Sequence, residues 1–398
     1  MIGNRTMDTA DIVRPADLAA SDREAWLDFC AATPAFRSPL LGPDFAEAVA
    51  RRRDDAYVAV FRRGARPVGF LPHHRRTAGF DRPIGSPFSD YHALVTEPGV
   101  RLDGPEALAA AGIRLLRFSN LVDPMAAFDG VEQTPNDGYA IQIGPQGAEA
   151  YLDAVREPNP KRAKNWRRLE NKLEREVGEI ALRMDDRSPE AYESLVRWKS
   201  EQLLRSGLHD VFAPGWSSGL MRDLFETRGQ GFEGFMVTLY AGGRLAAGHF
   251  GVRLNGHFHS WVSSVEPEFA ASGAGNTLLL HAIAAMPAHG LETVDMGPGH
   301  GHYKEPFCSL RIAAGQGLAH AKGSGVAQHS AQQALTFAAS RSEAVARLLR
   351  RLDHIAATEP SVGGRIKGVA QAFANQGKRA QARSPEPTAP AQTTTADA

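Results

Sequence analysis

A glycine-rich segment in the second half of the chain has residue types that could hold a phosphate group. Ser272 to Asn276 reads Ser-Gly-Ala-Gly-Asn and leads into an apolar helical pattern over residues 277–286. Glycines between a strand and a helix leave backbone N–H groups uncovered, and the helix dipole favours an anion there. The spacing is neither the dinucleotide fingerprint nor a P-loop, and a plain tight turn is the alternative. The residues of this predicted pyrophosphate cradle are Gly273, Ala274, Gly275 and Asn276.

Titratable side chains lie on both sides of this segment. His257 and His259 alternate along the run before the glycines, so they share one face of a strand, and Trp261 continues that face. A neutral histidine can accept a proton near pH 7, which makes His259 a candidate base. Asp295 lies in the next short strand, where a carboxylate can orient or deprotonate a reacting group. Each could instead be an ordinary strand residue, and Asp295 could simply pair with Lys304.

A set of antiparallel strands is predicted to position these groups. Asn255-Gly256 is a strong hairpin signal, because both turn positions need positive φ. It joins a strand over 245–254 to a strand over 257–265, which is rich in β-favouring residues. A strand over 235–240 precedes them. Further upstream, Ser188-Pro189-Glu190 has the capping pattern of a helix start.

The first half of the chain repeats part of this order. The pairs that share one offset of 179 residues are Val58 with Val237, Phe61 with Tyr240, Gly64 with Gly243 and Gly69 with Gly248. In both halves the predicted order is helix, helix, strand, turn, strand. Two similar α+β lobes, over residues 21–145 and 146–322, are the economical explanation.

Composition limits the class of protein. Of 398 residues, 43% are hydrophobic and 23% are charged, and Lys+Arg and Asp+Glu balance at 45 each. No global charge favours nucleic acid, and no run reaches the roughly 20 apolar residues that span a bilayer. Residues 1–15 have no signal-peptide core, and the two cysteines match no metal or redox spacing. We therefore expect a cytoplasmic protein without a metal, since His289, His300 and His302 lack acidic or cysteine partners.

Segments outside the two lobes are predicted from composition and periodicity. Residues 1–20 are polar and expected to be flexible, and residues 384–398 are expected to be disordered. Residues 323–383 carry a helical pattern with Val345 and Leu348 on an apolar side and arginines on the other. One interpretation of this extension is a packed helix pair or a homodimer arm. The other is a basic amphipathic helix on a membrane surface.

The most basic run of the chain, Lys161 to Arg168, is predicted to lie on a helix with an apolar stripe through Leu169 and Leu173. Such a run is commonly a solvated helix face. The alternative is an edge that steers an anionic donor or acceptor towards the site.

The element order resembles the GNAT acyltransferase fold in its tandem form. In that fold the loop reads Gln or Arg, two residues, Gly, any residue, then Gly or Ala. Here Gly273 and Gly275 match, while Ala270 replaces the leading polar residue. Residues from about 20 to 320 also resemble GNAT-like acyltransferases of bacterial cellulose and exopolysaccharide biosynthesis, which are relatives of Fem-type peptidyltransferases. The segments that carry this resemblance are Ser89-Asp90-Tyr91, Arg168-Leu169, Trp198 to Gln202, Asp295-Met296-Gly297 and Tyr303 to Phe307.

The resemblance implies a donor, an acceptor and their residues. The donor is acyl-CoA, with its thioester carbonyl near the strand end at Val265 and its pyrophosphate on the glycine segment. The acceptor is a hydroxyl or an amine of a saccharide or cell-envelope precursor. The catalytic candidates are Asp295 and His259 as orienting or basic groups, Tyr303 as the acid for the leaving thiolate, and Lys304 as a stabiliser of negative charge. The residues implied in substrate binding are Asp90, Tyr91, Trp198, Lys199 and Trp261.

Two other functions stay open. A Fem-type transferase would use aminoacyl-tRNA on a peptidoglycan precursor, but such proteins carry a protruding helical hairpin, and none is predicted between the lobes. A non-catalytic member could instead bind a partner in an exopolysaccharide system, a function that Ala270 in the loop keeps open. Acyl-CoA binding would discriminate between these classes, and steep salt dependence would indicate tRNA.

Overall fold

The computed structural model describes residues 7–76, 80–206, 209–229, 231–299, 301, 303–323, 342–361 and 363–370. They form the α+β fold that the sequence predicts, and helices from both halves of the chain meet in one core. The predicted disordered tail at 384–398, and the histidines at 300 and 302, lie outside the described residues.

The elements of the first half of the chain alternate between sheet and helix. The helices are α1 (Ala20–Ala32), α2 (Pro43–Ala50) and α3 (Gly104–Ala110). The strands are β1 (Thr9–Val13), β2 (Ala56–Arg63), β3 (Arg66–His74), β4 (Arg82–Pro83), β5 (Val95–Thr96), β6 (Leu115–Leu121), β7 (Gln133–Pro135) and β8 (Gly138–Gln142). β1 to β4 follow one another in a sheet in which β5 also pairs with β3.

The second half of the chain supplies the longer elements. The helices are α4 (Gly147–Arg156), α5 (Pro160–Val177), α6 (Pro189–Arg205), α7 (Gly215–Glu226), α8 (Ala274–Ala285) and α9 (Glu343–Thr358). The strands are β9 (Ile180–Met184), β10 (Glu233–Ala241), β11 (Arg244–Leu254), β12 (His257–Val265), β13 (Thr293–Pro298), β14 (Leu310–Ile312) and β15 (Gly315–His320). A seven-stranded sheet has the order β14-β8-β13-β12-β11-β10-β9.

The predicted hairpin and crossover are both present in this sheet. Asn255 and Gly256 have φ values of 46° and 80°, so the turn between β11 and β12 is the one that the sequence predicts. β12 and β13 pair in parallel, and α8 is the crossover between them. Ser188 caps α6 by accepting a hydrogen bond from the backbone N–H of Ala191.

The predicted boundary after residue 145 does not separate the two halves into independent sheets. β8, which that boundary assigns to the first lobe, pairs with β13 and β14 in the seven-stranded sheet. Conversely, β15 returns to pair with β6 and β7. β8 and β15 each join a sheet of the other lobe because that is where their backbone N–H and C=O groups find hydrogen-bond partners. A linear reading of the sequence cannot identify those partners.

The internal repeat is visible in the two central hairpins. β2 and β3 correspond to β10 and β11 at the predicted offset, and each hairpin follows a pair of helices. Both hairpins have a register shift, at Phe61/Arg62 in one and at Leu239/Tyr240 in the other, and the two shifts lie within one residue of each other at the offset of 179. The match in irregularity as well as in order supports two lobes of similar fold.

The N-terminal segment is more ordered than its composition suggests. Within the predicted flexible residues 1–20, β1 pairs with β2 from Thr9 to Val13. Arg62 of β2 pairs with Asp11 at 2.5 Å and with the buried Asp22 of α1. The expectation of flexibility was therefore wrong for β1, because polar strand residues can still complete a sheet edge.

The predicted C-terminal helix is present as α9 and packs on residues of both lobes. Asp353 accepts hydrogen bonds from Arg82 and Arg117 at 2.7 Å each, and Ile355 is buried. Trp216 donates to the carbonyl of Thr358 at the end of the helix. The second half of α9 therefore follows the packing interpretation. None of the helices among the described residues is long and apolar enough to cross a membrane.

Candidate active site

Two neighbouring strands of the seven-stranded sheet, β12 and β13, separate beyond a short paired stretch, and we call the gap between them the crevice. β12 and β13 pair only from His257 to His259, opposite Thr293 to Asp295. Beyond this point β12 continues along β11 to Val265, while β13 continues along β8 to Pro298. Backbone groups of β12 beyond His259 therefore face the crevice without a strand partner there. The predicted catalytic residues His259 and Asp295 lie at the closed end.

His259 lies between two carboxylates from different parts of the chain. Its Nδ1 is 2.9 Å from Oδ2 of Asp295, its register partner on β13, and its Nε2 is 3.0 Å from Oδ2 of Asp90. The histidine side chain is fully buried and that of Asp295 is 5% exposed, whereas that of Asp90 is 29% exposed. Asp90 is thus the member of this trio that solvent or a ligand can reach.

The histidine in this trio is held in its charged form. Burial alone would lower its pKa, but the charges and hydrogen bonds of Asp295 and Asp90 outweigh burial and raise the pKa of His259 to about 9. At neutral pH it is an imidazolium that donates to both carboxylates. This differs from the predicted role of His259 as a neutral base, because two acidic partners flank it and not one.

Tyr91 and two glycines complete the support of Asp295. The Tyr91 hydroxyl donates to Oδ1 of Asp295 at 3.0 Å, and the backbone N–H of Gly297 donates to the same oxygen at 2.8 Å. A Cβ on Gly138 of β8 would collide with the Tyr91 phenol, and one on Gly297 would come within 3.0 Å of Asp90 Oδ2. Tyr91 is almost fully buried, so it positions Asp295 and does not line an open pocket.

Two lysines, Lys199 and Lys304, lie close enough to Asp90 for its charge to affect their pKa values. Lys304 donates to the carbonyls of Gly297 and Pro298 at 3.2 and 2.9 Å, so the alternative of a direct pair with Asp295 is not what forms. Lys199 of α6 makes no hydrogen bond or ion pair with the residues that the structure describes. Burial lowers the pKa of both ammonium groups, and the charge of Asp90 partly offsets this.

Tyr303 contacts β12 from the loop that follows β13. Its phenol lies near the Ser263 hydroxyl, and the residue is 42% exposed. Burial of the phenol raises the pKa of Tyr303, and the nearby Ser263 hydroxyl opposes this. Ser263 in turn lies 3.0 Å from Nε2 of His249 on β11.

The predicted phosphate segment adopts the expected strand-to-helix geometry. Gly273 has φ +78° and precedes the first residue of α8, and no side chain caps this helix. A Cβ on Gly275 would lie 3.2 Å from a methyl group of Val265, so the segment passes close to the end of β12. The backbone N–H of Asn276 already donates to the carbonyl of Gly273, so it is less available to bind an anion than predicted.

The two predicted tryptophans have different environments. Trp198 is 6% exposed and belongs to the shared core, where its burial favours packing over contact with a substrate. Trp261 is partly buried beside His259 and donates to the carbonyl of Phe88, which lies on the loop that carries Asp90. Trp261 therefore joins the β12 side of the crevice to that loop.

Sequence reasoning did not identify His249, Ser263 or Gly138 as site residues. His249 lies one strand away from His259, and the sequence leaves its facing direction open. Gly138 has no recognisable motif, and its function depends on a phenol 47 positions earlier in the chain. Ser263 could have been identified from its place on the predicted strand and its distance from the glycine segment.

Comparison with known proteins supports the interpretation of the second lobe. Residues 160–305 match the family model described as an acetyltransferase (GNAT) domain. The match extends from the start of α5 through β13 to Glu305, so it includes His259, the glycine segment, Asp295 and Lys304. The comparison with curated proteins found no match.

Solved structures give only distant likenesses. FemX is 10% identical over 76% of this chain and 96% of its own, with a TM-score of 0.49. A tandem GNAT protein from the clavulanic acid biosynthesis pathway is 14% identical over 79% and 100%, with a TM-score of 0.45. L-PGS from Bacillus licheniformis is 11% identical over 71% and 92%, with a TM-score of 0.40. These values are too low to inform substrate or mechanism.

The family match and the local geometry agree on the second lobe. The strand, glycine segment, helix and strand that the match spans are those that form the crevice. Residues 160–305 therefore match a GNAT acetyltransferase domain in sequence, and the chain has the GNAT fold of an acyltransferase.

Proposed function

We propose that this protein transfers an acyl group from acyl-CoA to a hydroxyl or an amine of a saccharide or cell-envelope precursor. The observation that carries the proposal is the position of Asp90. Its partly exposed carboxylate is held at the crevice by the charged His259. A carboxylate fixed beside an opening in a GNAT domain is suited to take the proton of an attacking acceptor.

The donor would occupy the open part of the crevice. The uncapped start of α8 at Gly273 and Ala274 offers backbone N–H groups for the pyrophosphate. The unpaired edge of β12 beyond His259 offers backbone N–H groups for the thioester carbonyl. Leu169 of α5 lies against Gly273, which brings the basic run that ends at Arg168 near the same helix start.

The reaction then needs two proton transfers, one from the attacking oxygen or nitrogen and one to the sulfur that leaves. The acceptor O–H or N–H gives its proton to Asp90 as its oxygen or nitrogen attacks the thioester carbon. The oxyanion that forms is stabilised by β12 N–H groups and by the charge of Lys304. As the C–S bond breaks, the phenol of Tyr303 gives its proton to sulfur, so that free CoA and the acylated acceptor leave.

The saccharide acceptor is the part of this proposal that rests on resemblance. The residues of Ser89-Asp90-Tyr91 and of the Tyr303 to Phe307 segment resemble the exopolysaccharide acyltransferases, and both segments border the crevice. Lys199 adds a largely buried ammonium group on the acceptor side of Asp90. An acceptor with hydroxyl or anionic groups beside its nucleophile matches this lining.

A Fem-type aminoacyl-tRNA transferase is the second candidate. One observation favours it: the basic run of α5 is exposed along Lys161, Lys164 and Arg168. Against it, α4 and α5 form a helix pair that packs on the sheet through Leu152 and Leu173 and does not protrude. Transfer from a charged tRNA would fall steeply with salt concentration, whereas transfer from acyl-CoA would depend on it weakly.

The test is release of CoA from acetyl-CoA in the presence of amino sugars and hydroxylated saccharides. The wild-type protein should release CoA faster when an acceptor is present. Asp90→Asn should slow this step by about 10²–10⁴-fold and leave acetyl-CoA affinity unchanged. Asp129→Asn, a change at a 72% exposed aspartate, is the matched control. Equal rates for wild type and Asp90→Asn would contradict the assignment of the base.

A further inference from the structure

Two contacts join α9 to the loop that carries Asp90. The indole N–H of Trp216, in α7, donates to the carbonyl of Thr358 at 2.8 Å. The Trp216 ring in turn lies 6.3 Å from the Phe88 ring at an interplanar angle of 77°, which is an edge-to-face pair. Phe88 precedes Asp90 by two residues. We call Thr358, Trp216 and Phe88 the α9 link.

The link begins at the end of α9, where the backbone carbonyls need partners. The last carbonyls of a helix have no hydrogen-bond partner within the helix. Side chains from elsewhere in the chain satisfy two of them in α9: Arg76 donates to the carbonyl of Ala357 at 2.6 Å, and Trp216 donates to that of Thr358. Because an indole has a single N–H donor, the docked end of α9 fixes the orientation of the Trp216 ring.

Phe88 is also held by β12. The indole N–H of Trp261 donates to the carbonyl of Phe88 at 2.8 Å, and the two rings lie 4.7 Å apart. Trp261 is the extra residue of a β-bulge and has no register partner on β11, and a bulge commonly re-aims a side chain. Phe88 is 6% exposed. Its position therefore depends on two tryptophans, one from β12 and one, Trp216, that α9 holds.

The backbone between Phe88 and Asp90 is a hydrogen-bonded turn. The N–H groups of Phe88 and Ser89 both donate to the carbonyl of Gly85, at 2.8 and 3.0 Å. The Ser89 hydroxyl donates to the carbonyl of Tyr91 at 2.8 Å and so spans Asp90. A displacement of Phe88 is therefore passed on to Asp90, whose carboxylate meets its imidazole partner on β12.

We propose that α9 positions Asp90 for proton transfer, and that Trp216 and Phe88 are the positioning residues through which it acts. A general base must lie within hydrogen-bond reach of the proton that it takes, and a misplacement of about 1 Å can cost about 10²-fold in rate. The inference rests on the proposed role of Asp90 as the base. It gives a function in the reaction to a helix that lies outside the matched residues 160–305.

The test removes one hydrogen bond of the link and keeps its aromatic rings. Trp216→Phe retains a ring beside Phe88 and loses the N–H that binds the carbonyl of Thr358. With acetyl-CoA and an acceptor, we expect kcat to fall by about tenfold, less than the loss for a full 1 Å misplacement. KM for acetyl-CoA should stay unchanged, because the predicted cradle lies at the start of α8. Asp353→Asn, which loosens α9 at a separate contact, should lower kcat as well.

A double-mutant cycle separates positioning from a loss of stability. In an Asp90→Asn background no base is left to misplace, so Trp216→Phe should reduce kcat little further. A residue that only stabilises the fold would cost the same factor in both backgrounds. The matched control is Trp26→Phe, which removes an indole hydrogen bond to the carbonyl of Leu41 at 2.9 Å and should lower the melting temperature while kcat is retained. Rates are measured well below each melting temperature.

The outcomes separate this inference from the proposed function. If Trp216→Phe or Asp353→Asn retains wild-type kcat, if Trp216→Phe costs the same factor in both backgrounds, or if Trp26→Phe loses as much kcat, the α9 link is wrong while acyl transfer stands. If Asp90→Asn is as fast as the wild type, the assignment of the base is wrong and this inference is wrong with it. If the wild-type protein releases no CoA with any acceptor, the proposed function itself is wrong, and so is the link.

Discussion

Nε2 of His259 lies 3.0 Å from Oδ2 of Asp90, and this contact joins β12 of the second lobe to a loop of the first. Asp295 binds the other nitrogen of the same ring. The site therefore depends on both lobes, although the family match begins only at residue 160. The first lobe supplies the partly exposed carboxylate of Asp90, and His259 of the second lobe holds it in place.

The charge of His259 should make folding stability depend on pH. The folded protein keeps this proton up to a pKa of about 9, whereas the unfolded chain releases it near 6.5. The contribution is therefore complete below about pH 6.5 and is lost as the pH rises through 9. It amounts to about 3 kcal/mol in order of magnitude. Urea unfolding at pH 6, 7.5 and 9 measures it.

The control for this prediction is His259→Gln, which cannot be protonated. Its free energy of unfolding should be lower than that of the wild type at pH 6, and the difference should shrink by pH 9. A difference that is constant between pH 6 and pH 9 would mean that His259 is not held as an imidazolium.

Gly138→Ala should damage the site from a neighbouring strand. The added methyl group would collide with the Tyr91 phenol, which supports Asp295. Overpacking of this kind costs about 1–3 kcal/mol of stability. We expect a lower melting temperature and a lower rate of CoA release. Gly144→Ala, where a Cβ would meet no atom within 4 Å, should leave both unchanged.

Asp353→Asn should loosen α9 from the first lobe. The carboxylate accepts hydrogen bonds from Arg82 and Arg117, which are 8% and 20% exposed. Losing charged hydrogen bonds that are mostly shielded from water costs about 2 kcal/mol. Asp129→Asn breaks an exposed pair with Arg101 and should cost no more than about 1 kcal/mol. Equal changes in the two melting temperatures would contradict the docking of α9 through Asp353.

Lys199→Met should weaken binding of the acceptor without lowering the stability of the fold. Lys199 is largely buried and forms no ion pair with the described part of the chain, and such an ammonium group destabilises the fold. Replacing it with an apolar side chain should therefore retain stability or increase it by about 1 kcal/mol. Binding of the acceptor should weaken, seen as a higher KM for the acceptor with KM for acetyl-CoA unchanged. Lys172→Met on the exposed face of α5 is the control. An unchanged acceptor KM would remove Lys199 from the site.

Local features of the fold could be predicted from the sequence because short-range rules determine them. The Asn255-Gly256 turn, the cap at Ser188 and the helix after Gly273 each follow from the conformational preferences of a few neighbouring residues. The two similar hairpins could be predicted from the constant offset of 179 residues between matching positions. Asp295 was predicted to lie on a short strand after the glycine segment that follows the strand of His259, and the two residues lie in register on adjacent strands.

The remaining features depend on contacts between distant residues. The partner of His259 that sequence reasoning lacked is Asp90, 169 residues away, and without it the imidazole was predicted to be neutral. β8 and β15 cross the predicted boundary because their hydrogen-bond partners lie in the other lobe. The bulge at Trp261 is likewise visible only in the register with β11.

The measurement that tests the central claim most directly is calorimetric titration with acetyl-CoA and longer acyl-CoAs. The wild-type protein should bind at least one of them, and Gly275→Glu should not, because a charged side chain beside Val265 would fill the cradle and repel phosphate. Gly144→Glu, at an open position, should bind as the wild type does. No binding to any acyl-CoA, or equal binding by Gly275→Glu, would contradict an acyl-CoA site at this crevice.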